Sequence, residues 1–301
     1  RLEEMISTIP KHKGTDHLRA DLRRRLAKMK ESAATRKKTS TSVSPFNIDK
    51  EGAGQVVILG TPNVGKSALV TALTNATPEV SEAPFSTWTP TPGMMHVENV
   101  QIQLIDTPPL NRDYMDPELL NMIRRADILL LVLDLQTDPD RQILEAINIL
   151  EEYRIIPLHR QPLHEMQIGK VFIPLLVTAN KCDDESYVEV YELFCELADE
   201  EWECLPVSAM TSRNLEALTH RLFEMLGVIR IYSKAPGEDP DFSAPFIMKA
   251  GSTVEEFAGK IHQDFLTNLS FARVWGSSLF EGQMVQRDYV LHDEDIVELR
   301  I

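Results

Sequence analysis

One octapeptide carries the residue types that hold a phosphate group. Residues 60–67 spell GTPNVGKS, a glycine, four intervening residues and then Gly-Lys-Ser, which is the pattern of a phosphate-binding loop. The apolar run at 56–59 predicts a buried strand before it, and residues 68–73 predict a helix after it. Backbone N–H groups and the helix N-terminus would then face a phosphate together. We expect the loop to contact nucleotide through Gly60, Asn63, Val64, Gly65, Lys66, Ser67 and Ala68.

The octapeptide and a later strand together predict one phosphate contact and two metal ligands. We expect the Lys66 ammonium to reach the β- and γ-phosphates and the Ser67 hydroxyl to bind Mg²⁺. Residues 101–108, QIQLIDTP, predict a strand that ends at Asp106. An aspartate in this position holds Mg²⁺, usually through water, opposite the loop serine. Its spacing from the loop favours this role over an aspartate that only caps a turn.

The base of the nucleotide is predicted by a later segment. Residues 171–183 contain a long apolar run, which we expect to be one buried strand, and end in NKCD. The Asp183 carboxylate can accept hydrogen bonds from N1–H and the exocyclic amine of guanine, a pair of donors that adenine lacks. The Lys181 stem can lie along the base, and Asn180 can tie this loop to the phosphate loop.

A turn further along completes the base site. A short strand is expected at 205–207, and the small residues Ser208 and Ala209 follow it. The Ala209 backbone N–H can then be offered to guanine O6. Because the four segments occur in the order that a nucleotide site requires, the sequence predicts a guanine nucleotide, GTP or GDP.

The order of elements gives the architecture that positions these loops. Strands and helices alternate from residue 55 to 226, which predicts an α/β domain with a mostly parallel sheet and helices on both faces. Ligand loops of such a sheet lie at the carboxyl ends of its strands. The predicted helices span residues 66–74, 117–125, 140–153, 188–199 and 214–226.

From residue 228 the pattern changes to short strands around a single helix. Thr253 and Glu256 offer this helix a capping box. Its predicted apolar face comprises Val254, Phe257, Ala258, Ile261 and Phe265. The pattern indicates a small β-grasp module. Residues 230–300 hold seven basic and twelve acidic side chains, so a protein partner is favoured over direct phosphate binding for this module.

The charge is distributed unevenly along the chain. The net charge is −15, yet residues 1–50 hold thirteen Lys or Arg and six Asp or Glu. Within this arm, Leu18, Leu22, Leu26 and Met29 recur at helical spacing, and a Ser- and Lys-rich linker follows at 32–44. The arm is either a basic helix that binds RNA or the ribosome through phosphates, or a helix that packs on the rest of the chain.

Composition indicates a cytoplasmic protein. No apolar run approaches the roughly eighteen residues of a membrane span, so no membrane partner is expected. Three cysteines, an odd number without the spacing of metal ligands, indicate thiols in a reducing compartment. No signal peptide is visible, although the sequence begins at Arg1 and a leader could precede it.

Several segments together resemble one family. The phosphate loop, FSTWTPTPG at 85–93 and the NKCD segment resemble the Obg-related translation-factor GTPases, in particular the developmentally regulated GTP-binding (DRG) proteins. IPKHKGTDH at 9–17 is similar to the DRG amino-terminal arm. Residues 231–234, 274–276 and 293–297 are similar to the carboxy-terminal TGS module. The resemblance implies an arm at 1–50, a G domain at 52–227 and a TGS domain at 228–301, with GTP hydrolysis controlling a ribosome- or RNA-associated process.

The resemblance also assigns residues in the first switch segment. Thr87 corresponds to the threonine that ligates Mg²⁺ and senses the γ-phosphate, so it joins Lys66 as a catalytic candidate. Thr89 is the competing candidate because the segment is rich in threonine. Asn63 resembles the asparagine that helps to hold K⁺ in potassium-stimulated members, although an asparagine in a turn is also a common turn former.

Two departures from the family pattern bear on the reaction. The second switch normally has Asp-x-x-Gly, whose glycine N–H donates to the γ-phosphate, but here Pro109 stands in that place and has no N–H. Leu110 follows where Ras-type enzymes have a glutamine that orients water, so slow hydrolysis is expected. Secondly, residues 158–170 are too few to hold the small extra domain of DRG proteins.

Two classes of function follow from these residues. The first is a slow Mg²⁺-dependent GTP hydrolase, with possible K⁺ stimulation, that acts as a switch. The second is a binding module that holds GTP or GDP and hardly hydrolyses GTP, with Pro109 as the feature that favours it.

The guanine prediction is testable by substituting one carboxylate. Asp183→Asn exchanges an acceptor for a donor, so the variant should lose guanine affinity and gain affinity for xanthine nucleotides, which present an acceptor there. Calorimetry with GDP, XDP and ADP measures the three affinities. Equal affinities of the unmodified protein for ADP and GDP would contradict the assignment.

Overall fold

The computed structural model describes residues 46–74, 89–112, 115–163, 169–198, 200–278 and 280–300. By contacts the chain divides into a unit at residues 1–47 and a second unit at 48–301, and the elements below belong to the second. The predicted basic helix of the arm and Thr87 lie outside the described residues.

Six strands form a mixed, mostly parallel sheet. The first eight strands are β1 (Gln55–Leu59), β2 (Thr91–Val97), β3 (Val100–Asp106), β4 (Ile128–Asp134), β5 (Ile155–Pro157), β6 (Val171–Ile173), β7 (Leu175–Asn180) and β8 (Cys204–Pro206). The sheet order is β2-β3-β1-β4-β7-β8. All neighbours pair in parallel except β2 and β3, which form an antiparallel hairpin. The predicted α/β fold is therefore confirmed.

Helices cover both faces of this sheet. They are α1 (Lys66–Leu73), α2 (Pro117–Arg125), α3 (Pro139–Glu152), α4 (Glu185–Leu197) and α5 (Leu215–Leu226). All seven residues of β4 are buried, as a central parallel strand requires. Its alternate residues 128, 130 and 132 pack in one cluster with side chains of α1 and α5, so the remaining residues face the opposite side.

Capping explains one helix boundary that the sequence pattern placed wrongly. The predicted helix at 188–199 begins at Glu185 instead. Asp184 precedes it, and its Oδ1 accepts a hydrogen bond of 2.9 Å from the Ser186 backbone N–H. An aspartate cap satisfies N–H groups of the first turn that have no partner within the helix, so the helix starts a turn earlier than its apolar spacing indicates.

The long strand predicted from residue 171 is wrong in one respect. It is divided by Pro174 into β6 and β7. β6 pairs with β5 in a separate two-stranded sheet, and β7 joins the main sheet beside β4. Proline lacks the N–H that a strand interior donates, which accounts for a break at this residue.

A second sheet of five strands forms the carboxy-terminal part. Its strands are β9 (Val228–Ser233), β10 (Phe246–Lys249), β11 (Phe271–Trp275), β12 (Gln283–Val285) and β13 (Asp295–Arg300), in the order β10-β9-β13-β11-β12. Helices α6 (Val254–Ile261) and α7 (Gln263–Asn268) accompany it. Phe257 is fully buried in the core that this sheet shares with α6. These elements agree with the expected small β-rich module.

The helix of this module is capped as predicted but is shorter than its apolar pattern indicates. The Thr253 and Glu256 side chains each accept a hydrogen bond from the other's backbone N–H, which is the capping box. The single helix expected to reach Phe265 is interrupted at His262, whose backbone is extended. The His262 Nδ1 accepts from the Asp264 N–H at 3.1 Å, so this histidine ends α6 and caps α7.

An arginine at the start of β9 joins the two sheets. The Arg230 guanidinium is nearly buried and forms ion pairs with Asp293 at 2.6 Å, with Glu294 at 3.1 Å and with Glu98. Glu98 lies in the turn between β2 and β3 of the first sheet. The next residue of that turn, Asn99, donates to the Tyr232 hydroxyl at 2.5 Å. The β2–β3 turn is therefore held by the carboxy-terminal sheet through charge-assisted and neutral hydrogen bonds.

No helix within the described ranges is both long and apolar enough to traverse a bilayer.

The Arg230 contacts predict a measurable loss of stability on substitution. Arg230→Met removes the guanidinium and leaves three carboxylates close together, so we expect the free energy of unfolding to fall by about 1.5–3 kcal/mol. Arg230→Lys is the matched control, because it keeps the charge but not the forked geometry and should lose less. Urea unfolding followed by circular dichroism measures both. Unchanged unfolding of Arg230→Met would contradict the role of this contact.

Candidate nucleotide-binding site

The phosphate loop connects β1 to α1 in a conformation that needs glycine. Gly60 and Gly65 have φ of 151° and 93°, which L side chains rarely adopt. A Cβ on Gly65 would lie 2.4 Å from Asn180 Nδ2, and one on Gly60 would lie 2.5 Å from Val132 O. Asn63 also has positive φ, 62°, which fits a residue in a turn, and its contact with K⁺ stays a prediction.

The Lys66 ammonium lies inside the loop. Its Nζ donates hydrogen bonds of 3.0 Å to both Gly60 O and Thr61 O. Burial lowers the pKa of Lys66 to about 8, and the charge of Asp106 acts in the opposite direction. A desolvated ammonium without a full counter-charge is costly, so an anion brought to this loop would stabilise the charged form.

Ser67 and Asp106 form the acidic side of the site. The Ser67 Oγ donates to Asp106 Oδ2 at 2.5 Å. Asp106 is fully buried at the end of β3, and its Oδ1 has no hydrogen-bond partner among the described residues. Burial raises the pKa of Asp106, against the hydrogen bond from Ser67 and the charge of Lys66. A buried carboxylate oxygen without a partner, beside a hydroxyl, fits Mg²⁺, which prefers hard oxygen ligands.

The segment after β3 is anchored to β1 and to the phosphate loop. The Thr107 hydroxyl donates to Ile58 O at 2.5 Å, and the Leu110 backbone N–H donates to Gly60 O at 3.1 Å. The Leu110 side chain is buried. Pro109 has no N–H, and the first backbone N–H after it, that of Leu110, already donates to the Gly60 carbonyl.

Of the two threonines proposed for the first switch, only Thr89 is described, and its side chain is exposed.

Asn180 connects the phosphate loop to the two loops expected to contact the base. Its Nδ2 donates to Val64 O at 2.8 Å, and its Oδ1 accepts from the Ala209 N–H at 3.1 Å. The structure therefore contains the link that the sequence suggested for Asn180. The Ala209 N–H, expected to face guanine O6, donates to Asn180 instead.

The Asp183 carboxylate is engaged at both oxygens. Its Oδ1 accepts from the Ser208 hydroxyl at 2.6 Å, and its Oδ2 accepts from Gln136 Nε2 at 3.2 Å. The Lys181 ammonium, expected along the base plane, pairs with Asp134 at 2.6 Å. Gln136 and Asp134 were missed by the sequence reasoning. Their position in the sequence could have identified them. β4 ends at Asp134, at the edge of the sheet where the other ligand loops lie.

These loops all lie at the carboxyl ends of parallel strands, as the sequence predicted. At one end of the arrangement, backbone N–H groups and the Lys66 ammonium can donate hydrogen bonds to phosphate. At the same end, carboxylate and hydroxyl oxygens can bind a divalent cation. The other end offers a carboxylate, a lysine and an amide around the expected base. The chemistry that fits this combination is the binding of a purine nucleoside polyphosphate with Mg²⁺.

Two segments of the chain match known families. Residues 55–161 match the family described as the 50S ribosome-binding GTPase. Residues 229–301 match the TGS domain. The first match contains the phosphate loop and Asp106, and the second contains the whole five-stranded carboxy-terminal sheet except its first residue.

Similar proteins align with nearly the whole chain. A GTP-binding protein of Methanocaldococcus jannaschii is 32% identical, over 100% of this chain and 91% of its own length. Developmentally-regulated GTP-binding protein 1 of Xenopus laevis is 27% identical, over 99% of this chain and 96% of its own. Both alignments, of 362 and 360 residues, are longer than this chain, so the relatives contain segments that it lacks.

A solved structure supports the fold. The YchF GTPase of Schizosaccharomyces pombe covers 84% of this chain and 99% of its own with a TM-score of 0.53, at 12% sequence identity. At this identity the likeness concerns the fold alone.

The lowered pKa of Lys66 predicts that nucleotide binding is linked to proton uptake. Phosphate favours the charged ammonium, so binding raises the pKa of Lys66 from about 8, and GDP affinity should fall as the pH rises through that value. Calorimetry near pH 8 in two buffers of different ionisation enthalpy should show uptake of part of a proton. Lys66→Arg is the control, because its guanidinium stays charged. Equal proton uptake by the two proteins would contradict the linkage.

Proposed function

Because the chain belongs to the Obg-related GTP-binding proteins of the DRG type, with a TGS domain, we propose that it is a slow Mg²⁺-dependent GTP hydrolase. It acts as a switch in a ribosome- or RNA-associated process in the cytoplasm. The observation that carries this proposal is the convergence of Lys66, Ser67 and Asp106 at one edge of the sheet, where Asp106 keeps a buried oxygen without a described partner.

Each residue of the site has a role in this proposal. Lys66 leaves the Gly60 and Thr61 carbonyls and neutralises the β- and γ-phosphates. Ser67, Asp106 and Thr87 hold Mg²⁺, with Thr89 as the alternative to Thr87. The metal supplies charge neutralisation at the phosphate oxygens when it is bound. The guanine base is recognised by the loop residues Asn180, Lys181, Asp183, Ser208 and Ala209.

Hydrolysis is slow because two groups that assist it elsewhere are missing from the second switch. Pro109 has no N–H for the γ-phosphate. The Leu110 side chain is apolar and buried, so it cannot orient an attacking water. Stimulation by K⁺ through Asn63 belongs to this proposal, although the Asn63 backbone also fits a plain turn.

The alternative function is a GTP- or GDP-dependent binding module with little hydrolysis. The observation that favours it is the Leu110 N–H donated to Gly60 O. This bond and the one from Thr107 to Ile58 hold the segment after Asp106 against the phosphate loop and β1. A ligand shifts a conformational equilibrium only by its different affinity for the two states, so in this alternative GTP would shift the segment little more than GDP does.

The parts outside the G domain supply the partners. We assign the domains to residues 1–50, 52–227 and 228–301, with Gly227 between α5 and β9. The basic arm contacts RNA or the ribosome, and the acidic TGS domain contacts a protein. The matched family is described as ribosome-binding, which supports this class of partner.

A phosphate-release assay distinguishes the two functions. Multiple turnover of GTP with Mg²⁺, in K⁺ or Na⁺, should be slow but measurable, and GDP and a non-hydrolysable GTP analogue should bind with similar affinity. Pro109→Gly restores an N–H and should tighten the analogue selectively, by about 1.5–3 kcal/mol for a charge-assisted hydrogen bond. Pro108→Gly, one residue away, is the matched control. No turnover in either salt would favour the binding module, and strong GTP selectivity of the unmodified protein would contradict the account of Pro109.

A further inference from the structure

Helix α4 packs one apolar face against the sheet, with three half-buried residues and one buried residue. Its residues Tyr187, Val188 and Tyr191 pack against a small cluster beside β7, and Phe194 is buried. An amphipathic helix on a sheet needs one such face, with polar residues on the remainder. The inner face of α4 is therefore sufficient to pack the helix on the sheet.

A second apolar row lies on the solvent side of the same helix. Val190, Leu193 and Leu197 have exposed fractions of 41%, 54% and 67%. Their spacing of three and four residues places them in a line along the helix. We call these three residues the α4 apolar row. Nothing in the packing of the described residues requires apolar side chains there.

An acidic row runs beside the apolar one. Glu189, Glu192 and Glu196 are exposed and repeat the same spacing, each one residue earlier. Residues 185–197 contain no lysine or arginine. In heptad terms the apolar row occupies positions a, d and a, and Glu189 and Glu196 occupy the g positions that select the charge of a partner helix.

We propose that the solvent side of α4 is a docking surface for a basic amphipathic helix of a protein partner. An apolar row flanked by glutamates matches a helix whose apolar row is flanked by lysine or arginine, because opposite charges at flanking positions stabilise a helix pair. A second copy of α4 would place glutamates against glutamates, and nucleic acid would place phosphates against them. The surface is separate from the nucleotide loops and adds a partner to the proposed function.

Synthetic peptides test this assignment directly. The probe is a fluorescent three-heptad helical peptide with leucine at the core positions and lysine at the flanking positions. The control peptide has glutamate in place of each lysine. Anisotropy should show that the full-length protein binds the lysine peptide about tenfold or more tightly than the glutamate peptide, with the difference reduced at high salt.

Substitutions locate the binding on α4. Leu193→Gln with Leu197→Gln should weaken lysine-peptide binding about tenfold or more. Leu144→Gln is the matched control, because Leu144 on α3 is exposed to 53% and lies outside the row. Glu189→Lys, Glu192→Lys and Glu196→Lys combined should reverse the preference towards the glutamate peptide. Unchanged GDP affinity shows that each variant is folded.

Three results would overturn the proposal. The first is equal binding of the lysine peptide by the unmodified protein and the Leu193 and Leu197 double variant. The second is equal binding of the two peptides. The third is a dimer in sedimentation that the double variant abolishes, which would assign the row to a second copy of this chain.

Discussion

The nucleotide site depends on one buried amide. Asn180, at the end of β7, donates to Val64 O and accepts from the Ala209 N–H, so a single side chain sets the distance between the phosphate loop and a loop of the base site. Both polar groups of this amide are satisfied, which makes a buried amide rigid rather than costly. The approach is possible because Gly65 has no Cβ, which would lie 2.4 Å from the amide nitrogen.

Most polar groups of the site already have protein partners. Lys66 is bonded to two loop carbonyls, Leu110 N–H to Gly60 O, and Asp183 to Ser208 and Gln136. Nucleotide binding is then an exchange of hydrogen bonds, whose net free energy is modest for neutral pairs and larger where charge is involved. The exchange contributes most binding free energy at the phosphate end, because Lys66 is desolvated there. At the base end it contributes selectivity for the base.

The β2–β3 turn connects this site to the carboxy-terminal sheet. β2 begins just after the segment with the two candidate threonines, and β3 ends at Asp106. The turn between them is held by Arg230 and Tyr232. The two strands pair over seven residues, so the hairpin extends from the nucleotide end of the sheet to this turn. The second sheet therefore contacts the hairpin whose strand β3 ends at Asp106, the proposed metal ligand.

The sequence by itself determined the local chemistry and the fold class. The glycine spacing, the strand-end Asp106 and the NKCD segment depend on neighbours along the chain, so their pattern identified the loops and the alternation of strands and helices. Only the tertiary structure decided what depends on contacts distant in sequence. These features are the hydrogen bond from Gln136 to Asp183 and the ion pairs of Arg230 between the two sheets. They also include the division of a strand at Pro174 and the exposure of the α4 apolar row to solvent. Periodicity shows that a helix has apolar residues, but packing decides which of them are buried.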